Sequence, residues 1–400
     1  MKVNKLLHLE MMVVLMIMVM VMASFTAYSL PDLPSSLGPL DELAAGVWSD
    51  FRNLVDIGLG DSRPELVHLK LYLAQFGYLN LTSTSSSSSS GGGSSGLGNL
   101  TQLFDSHTLA ALQLYQQSFN LSVTGKLDVP TLLRLMTPRC GREDVADGIP
   151  LMLHSTPPYD HHVVGHYAFF PSKPTWPTSR RNLTYAFSSS NETGHVDLTD
   201  RRRAFAAAFA EWSAVVPVNF TEVDTYSRAD IKIEFVSFSH GDGEPFDGVL
   251  GVLAHAFSPT DGRFHLDNSE FWHLFSFGSA GTLPQQIDLQ SVVTHEIGHL
   301  LGLAHSPVEN AIMYPSIAPG QVKLQLQQDD IQGAQALYGA NPNYDPDSPL
   351  PGVPPTLGDL SNHANPHILP SLSLFLSLFS LLSLVLFYTK YSNNYIVFDV

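Results

Sequence analysis

The chain has 400 residues, room for two or three domains, and sets 20 Lys and Arg against 37 Asp and Glu, a net charge of −17. Sparse basic residues argue against nucleic acid as a partner, because binding a phosphate backbone needs concentrated positive charge. A single cysteine excludes an internal disulfide framework.

The start reads as a secretory signal over residues 1–29. Lys2 and Lys5 give a positive opening, residues 11–22 are apolar throughout, and Ala27-Tyr28-Ser29 is a small-x-small cleavage site. A signal anchor is the competing reading. N-x-Ser/Thr sequons at Asn80, Asn99, Asn120, Asn182, Asn191 and Asn219 fit an exported glycoprotein.

Between residues 41 and 137 the pattern is helical. Residues 65–73 have helical apolar spacing that ends near Gly77, and a second helix is predicted over 105–119. A third starts at Val129-Pro130, with proline in the first turn, and runs to Met136. Three short helices can form one bundle. The Ser/Gly tract at 83–95 cannot bury a core and reads as an inserted loop. Residues 145–166, with His154, His161, His162 and His166, read as a linker where activation cleavage falls.

From about Tyr167 to Gly339 strands and helices mix. Strands are predicted at 182–187, 220–223 and 231–236. Helices are predicted at 201–215, from about Leu283 through the first histidines of the motif described next, and at 328–338.

The most informative segment is His295-Glu296-Ile297-Gly298-His299-Leu300-Leu301-Gly302-Leu303-Ala304-His305. His295 and His299, four apart on a helix, project from one face and make half of a tetrahedral zinc site. Gly302 can end the helix in a left-handed turn, which lets His305 return as a third ligand. Three protein ligands leave a fourth position for water, the arrangement of a catalytic zinc, and Glu296 can act on that water as general base. Chance HExxH segments do occur in helices; the added Gly302 and His305 favour the metal.

Cys140 lies in the polar stretch Pro138-Arg139-Cys140-Gly141-Arg142-Glu143-Asp144. A thiolate is a strong zinc ligand, so Cys140 in the fourth position would displace the water and silence the site. A buried inert thiol is the plainer alternative. A second gathering of ligands, His240, Asp242, His255 and His265, lies within a loop-rich segment that also carries Asp247 and Gly248.

The extended histidine motif and the downstream Ala311-Ile312-Met313-Tyr314-Pro315 resemble the metzincin proteases with their Met-turn. The Pro-Arg-Cys-Gly-x-x-Asp stretch narrows the resemblance to the matrix metalloproteinases, plant-type and without a hemopexin domain. The resemblance implies an α+β metzincin domain, a twisted mixed sheet with three helices, preceded by a small all-α three-helix prodomain similar to peptidoglycan-binding modules. It implies a cysteine switch held by Arg139 and Asp144. The family has Val-Pro where this chain has Arg142-Glu143, which bears on how tightly the switch docks. It further implies a structural zinc on His240, Asp242, His255 and His265, and a calcium on Asp247, Gly248, Asp267 and Glu270. Asp230 and the Asp261-Gly262 turn are candidates for a second calcium. Substrate is expected along the edge around residues 251–254, with residues 315–322 walling the pocket for the first side chain past the cut.

The expected layout is a signal (1–29), propeptide (30–165), catalytic domain (166–340), a Pro/Asn-rich stalk (341–367) and an apolar end (368–400). Gly358 and Ser361, a polar spacer and the apolar run over 368–387 suggest a GPI-anchor signal. The chain continues past that run from Tyr388, which keeps a single-pass span as competitor. The reading is a zinc endopeptidase with extracellular protein substrates, tethered to the outer membrane face. The alternative is a non-catalytic glycan-binding surface protein with a structural metal domain.

Overall fold

The computed structural model describes residues 46–81, 100–152, 166–275 and 285–351. The signal, the Ser/Gly tract, Asn99, Leu283 and the expected anchor lie outside the described residues, as do most of the linker and most of the stalk.

The N-terminal part is helical: a short 3-10 helix Ser49–Leu54, then α1 (Leu66–Gln75), α2 (Ser106–Ser118) and α3 (Val129–Met136). Asp105 and Asp128 cap α2 and α3, each accepting the amide three residues on. The 3-10 helix was not foreseen; Phe51 and Leu54 from it complete the bundle core with Leu69, Tyr72, Leu73, Leu112, Tyr115 and Leu132. Phe246, Val252 and Tyr314 of the C-terminal part pack into the same cluster. A two-stranded turn, β1 (Val145–Ala146) and β2 (Ile149–Pro150), ends this part.

The C-terminal part is a five-stranded sheet with helices against it. Its strands are β3 (Asn182–Phe187), β4 (Asn219–Glu222), β5 (Ile231–Val236), β6 (Ala254–Ala256) and β7 (Arg263–Asp267), in the order β4-β3-β5-β7-β6. All pairings are parallel except β6 with β7, which leaves β6 as an antiparallel edge. In β5, Ile231, Ile233 and Phe235 alternate inward, as a strand with one buried face requires. A small pair, β8 (Phe271–His273) with β9 (Gln286–Asp288), lies outside the main sheet.

Three helices complete this part: α4 (Leu198–Val215), α5 (Leu289–Leu300) and α6 (Gln328–Tyr338). Helix α4 begins one turn before the predicted start because Asp197 caps it. Helix α5 starts later than predicted: residues 286–288 are strand β9, and Asp288 caps the helix by accepting from Ser291 N at 2.8 Å. Apart from Gln290, every residue of α5 is buried, so it is a central element and not a surface helix. Its core, with Phe205, Phe209 and Trp212 of α4 and Ile231, Phe264 and Leu266 of the sheet, is drawn entirely from the C-terminal part.

Candidate metal centre

Helix α5 presents His295 and His299 one turn apart, with their Nε2 atoms 3.1 Å from each other. Beyond it the chain reverses at Gly302, φ +99°, where a side chain would also meet the Pro174 carbonyl at 2.2 Å. That reversal brings His305 back to the same point. The Nδ1–H groups of the three rings donate outward: His295 to Ile312 O at 2.7 Å, His299 to Leu303 O at 2.8 Å, and His305 to Asp144 Oδ1 at 2.7 Å. Each Nε2 lone pair is thereby aimed inward, the arrangement by which neighbouring acceptors orient metal-ligating histidines. His305 Nε2 is buried with no protein partner.

Cys140 Sγ lies 3.3 Å from His299 Nε2, and the four ligand atoms all fall within 4.8 Å of one another. Burial holds His295 and His299 well below their ordinary pKa, with neighbouring imidazoles adding to it; His305 is also lowered by burial, with Asp144 opposing. Burial pushes the Cys140 thiol up, and the Glu296 carboxylate adds to that. Three inward nitrogens and a sulfur that accepts only the Arg142 amide, at 3.4 Å, fit a zinc ion. Met313 packs beneath them: a Cβ on Gly298 would lie 2.2 Å from its sulfur, so glycine lets the Met-turn approach the ligand helix. Asp330 fixes that turn, accepting from Ile312 N at 2.9 Å and Met313 N at 3.0 Å.

The loop bearing Cys140 is held as a short strand between two backbones. On one side Arg139 N donates to Gly251 O at 3.0 Å, Leu253 N donates to Arg139 O at 2.9 Å, and Gly141 N donates to Ala254 O at 2.8 Å. On the other, Cys140 N donates to Pro315 O at 2.9 Å and Ile317 N to Pro138 O at 3.1 Å. The expected edge at 251–254 is therefore present but covered, and regular strand begins only at Ala254. Gly141 is required here because a Cβ would meet Val252 Cγ1 at 2.7 Å. Arg139 is fully buried; its Nη2 donates to Asp144 Oδ1 at 2.8 Å, and its guanidinium lies 3.6 Å from the Phe76 ring centroid. Arg142 is not repelled by its surroundings, since it pairs with Glu244 at 2.7 and 3.0 Å.

Glu296 is fully buried, and burial pushes it up to about 8, with Cys140 and the Ala256 backbone opposing. It lines a pocket with His295, Val292, Tyr314, Pro315, Ser316 and Ile317. Of the segment 315–322 expected to wall this pocket, only residues 315–317 do so. Val322 is exposed, whereas Lys323 takes part, tied to Glu309 O and Ala311 O.

The second cluster is equally convergent. His255 and His265 face each other across β6 and β7 in direct register. Asp242 Oδ2 lies 2.8 Å from His240 Nε2, 2.7 Å from His255 Nε2 and 2.9 Å from His265 Nδ1. Although burial opposes it, the hydrogen bond with His255 and the neighbouring imidazoles hold Asp242 far below the usual carboxylate range. Three nitrogens and one carboxylate oxygen fit a zinc whose shell is closed without water.

Asp247, Asp267 and Glu270 also come together, although among the described residues only the two histidine clusters bring three or more ligand atoms within 4.8 Å. Burial, reinforced by the other carboxylates, pushes Asp247 up to about 6 and Glu270 up to about 9; burial likewise raises Asp267. Their oxygens gather loop amides, Val252 N on Asp247, Gly248 N on Asp267 and Leu250 N on Glu270, while Glu270 Oε2 has no partner. Gly248 thus contributes an amide to this cluster. Mutually repelling buried carboxylates with an orphan oxygen fit a hard cation. Of the residues considered for a second calcium, Asp230 pairs with Arg180 and accepts from Thr184, and both oxygens of Asp261 accept from Arg263.

Residues 175–339 match the Matrixin family model, and residues 62–135 match the putative peptidoglycan binding domain model. Metalloendoproteinase 5-MMP of Arabidopsis thaliana is 46% identical over 323 residues, covering 78% of this chain and 82% of the relative. Metalloendoproteinase 2-MMP of the same plant is 44% identical, over 74% and 76% of the two chains. Interstitial collagenase of Bos taurus is 39% identical over 252 residues, 62% of this chain but 46% of the collagenase. The glycan-binding alternative accounts for the helical part alone, whereas the plant enzymes match across both parts. With the Matrixin match spanning the part that carries both histidine clusters, this chain belongs to the matrixin family of zinc-dependent metalloendopeptidases, hydrolases that cut protein substrates.

Proposed function

We propose that the chain is made as a latent, extracellular endopeptidase whose own Cys140 closes the active site until the N-terminal part is removed. The observation that carries this reading is the meeting of Cys140 Sγ with the ring nitrogens of His295, His299 and His305. Bound zinc supplies Lewis acidity toward the scissile carbonyl and toward water. Once Cys140 withdraws, the buried Glu296 carboxylate receives a proton from that water and passes it to the departing amide nitrogen. The substrate backbone takes the place of residues 138–141, pairing with the edge at 251–254 on one side and with 315–317 on the other. The apolar pocket beside Glu296 receives the first side chain past the cut.

The wider organisation is proposed with it. Residues 1–29 direct export, 30–165 are the propeptide, 166–340 the catalytic domain, and 341–367 a stalk. Residues 368–400 hold the protein on the outer membrane face, through a GPI anchor or a single span. His240, Asp242, His255 and His265 hold a structural zinc. Asp247, Asp267 and Glu270, with the backbone at Gly248, hold calcium.

The test is made on the full chain loaded with zinc. Cys140→Ser cleaves a quenched fluorescent peptide without processing, the unaltered chain does so only after processing, and Cys140→Ser with Glu296→Gln does not. A Cys140→Ser chain that retains zinc yet stays silent overturns the latency reading. Release from expressing cells by a phosphatidylinositol-specific phospholipase separates the two anchors.

A further inference from the structure

Arg142 lies two residues past Cys140, on the opposite side of the sulfur from Pro138. Its Nη1 donates to both oxygens of Glu244, at 2.7 and 3.0 Å. Its Cζ lies 5.5 Å from the Phe170 ring centroid and 5.1 Å from that of Phe257. The arginine side chain is only 13% exposed. Glu244 is positioned by its own amide, which donates to Asp242 Oδ1 at 2.9 Å, and Phe170 packs against the His299 ring, 5.5 Å between centroids. Phe257 directly follows the edge strand β6. All three belong to the C-terminal part and remain when the N-terminal part leaves.

The two sides of the cleft are distinguishable. Pro138 faces Ile317, whereas Gly141 faces Ala254. On the reading above, the wall at 315–317 takes the side chain just past the cut, so Glu244 lies on the N-terminal side of it. We propose that Glu244, Phe170 and Phe257 form a specificity subsite for a basic side chain of the substrate, N-terminal to the scissile bond, and that Arg142 fills this subsite in the uncut chain. Arginine suits it better than lysine, because its planar guanidinium lies against both aromatic rings while one nitrogen reaches Glu244. The inference rests on the proposed reading that substrate follows the same cleft as residues 138–141.

The experiment uses the full chain cut by limited proteolysis between Met152 and His166 and freed of its N-terminal part; the C-terminal part carries its own core. The probe is a set of quenched peptides in which one arginine replaces glutamine at each position on either side of the cut. The expected result is a gain of about fivefold in kcat/KM at one position on the N-terminal side, the size of a partly exposed ion pair. The gain is smaller for lysine and disappears in Glu244→Gln. Glu244→Lys shifts the preference toward a glutamate at that position, which an unfolded variant could not do. Cleavage of the glutamine peptides with no arginine gain, or a gain that persists in Glu244→Gln, overturns the subsite while leaving the endopeptidase reading standing. A gain confined to the C-terminal side overturns it through the substrate polarity on which it rests.

Discussion

Asp144 Oδ1 lies 2.7 Å from Nδ1 of His305, so a residue of the N-terminal part orients a zinc-ligand candidate of the C-terminal part. The same oxygen accepts from Arg139 Nη2 at 2.8 Å, and Tyr78 donates to the other oxygen at 2.8 Å. One carboxylate therefore joins the helical bundle, the cysteine loop and the third histidine. Asp144→Ala should leave the Arg139 guanidinium buried and uncompensated, a loss of about 3–5 kcal/mol for a broken buried pair. The expected outcome is a full chain with lower Tm that cleaves peptide before processing. Arg139→Met combined with Asp144→Ala should recover part of the Tm. A silent chain of unchanged Tm would contradict the role given to Asp144.

Glu211 of α4 is buried, accepts from Leu326 N at 2.8 Å, and is pushed up to about 8 by burial. Between its ordinary range near 4.5 and about 8, the unfolded chain has lost this proton while the folded chain keeps it. Stability from this group must then fall as pH rises across that window. Glu211→Gln keeps an acceptor for Leu326 and has no proton to lose. Thermal melts should show the variant gaining on the parent from pH 5 to pH 8, and parallel curves would show that Glu211 ionises normally.

Gly298 sits between the two histidines of α5, where a methyl group would press on the Met313 sulfur at 2.2 Å and on Trp212 at 3.2 Å. Gly298→Ala improves helix propensity, yet overpacking of about 1–3 kcal/mol should exceed that gain. The variant should melt lower and hold zinc less tightly in a chelator competition, because the floor under the ligands is displaced. An unchanged Tm and unchanged zinc retention would show that the Met-turn yields freely.

The two histidine clusters are separable by metal analysis. Asp242→Ala should lower the zinc content and the Tm of the full chain while leaving Cys140 near His299. His305→Ala should lower the zinc content through the other cluster. Calcium is expected to raise Tm in the parent chain and to do so less in Glu270→Gln, whose buried orphan oxygen is replaced by a neutral amide. If calcium raises both equally, it binds elsewhere.

Much of this was readable in the sequence because the strongest signals are local. The ligands of α5 are one turn apart, and the glycine that turns the chain toward His305 follows at once. Strands β3, β4 and β5 announced themselves, β5 by the alternation of Ile231, Ile233 and Phe235, whereas β7 did not. The start of α5 was missed because periodicity continues upstream of it, although Asp288 ahead of Ser291 is a capping signal that could have placed it. Glu244 and Asp330 escaped notice for another reason. Their partners, Arg142 and the Met-turn amides, are brought to them by tertiary folding, across 102 residues in the case of Arg142. Nothing in the residues beside Glu244 marks it, and the capping box of Asp330 with Gln327 marks only the start of α6.

The strand-like seating of residues 138–141 has a kinetic consequence. Its hydrogen bonds to 251–254 and 315–317 require only that the two parts be close, not that they be joined. A cut after Met152 on its own removes none of these bonds. It turns an intramolecular closure, at an effective concentration fixed by the tether, into a bimolecular equilibrium that dilution can drain. Onset of activity after the cut should therefore depend on how dilute the protein is, with concentrated enzyme remaining restrained by the fragment it has just released.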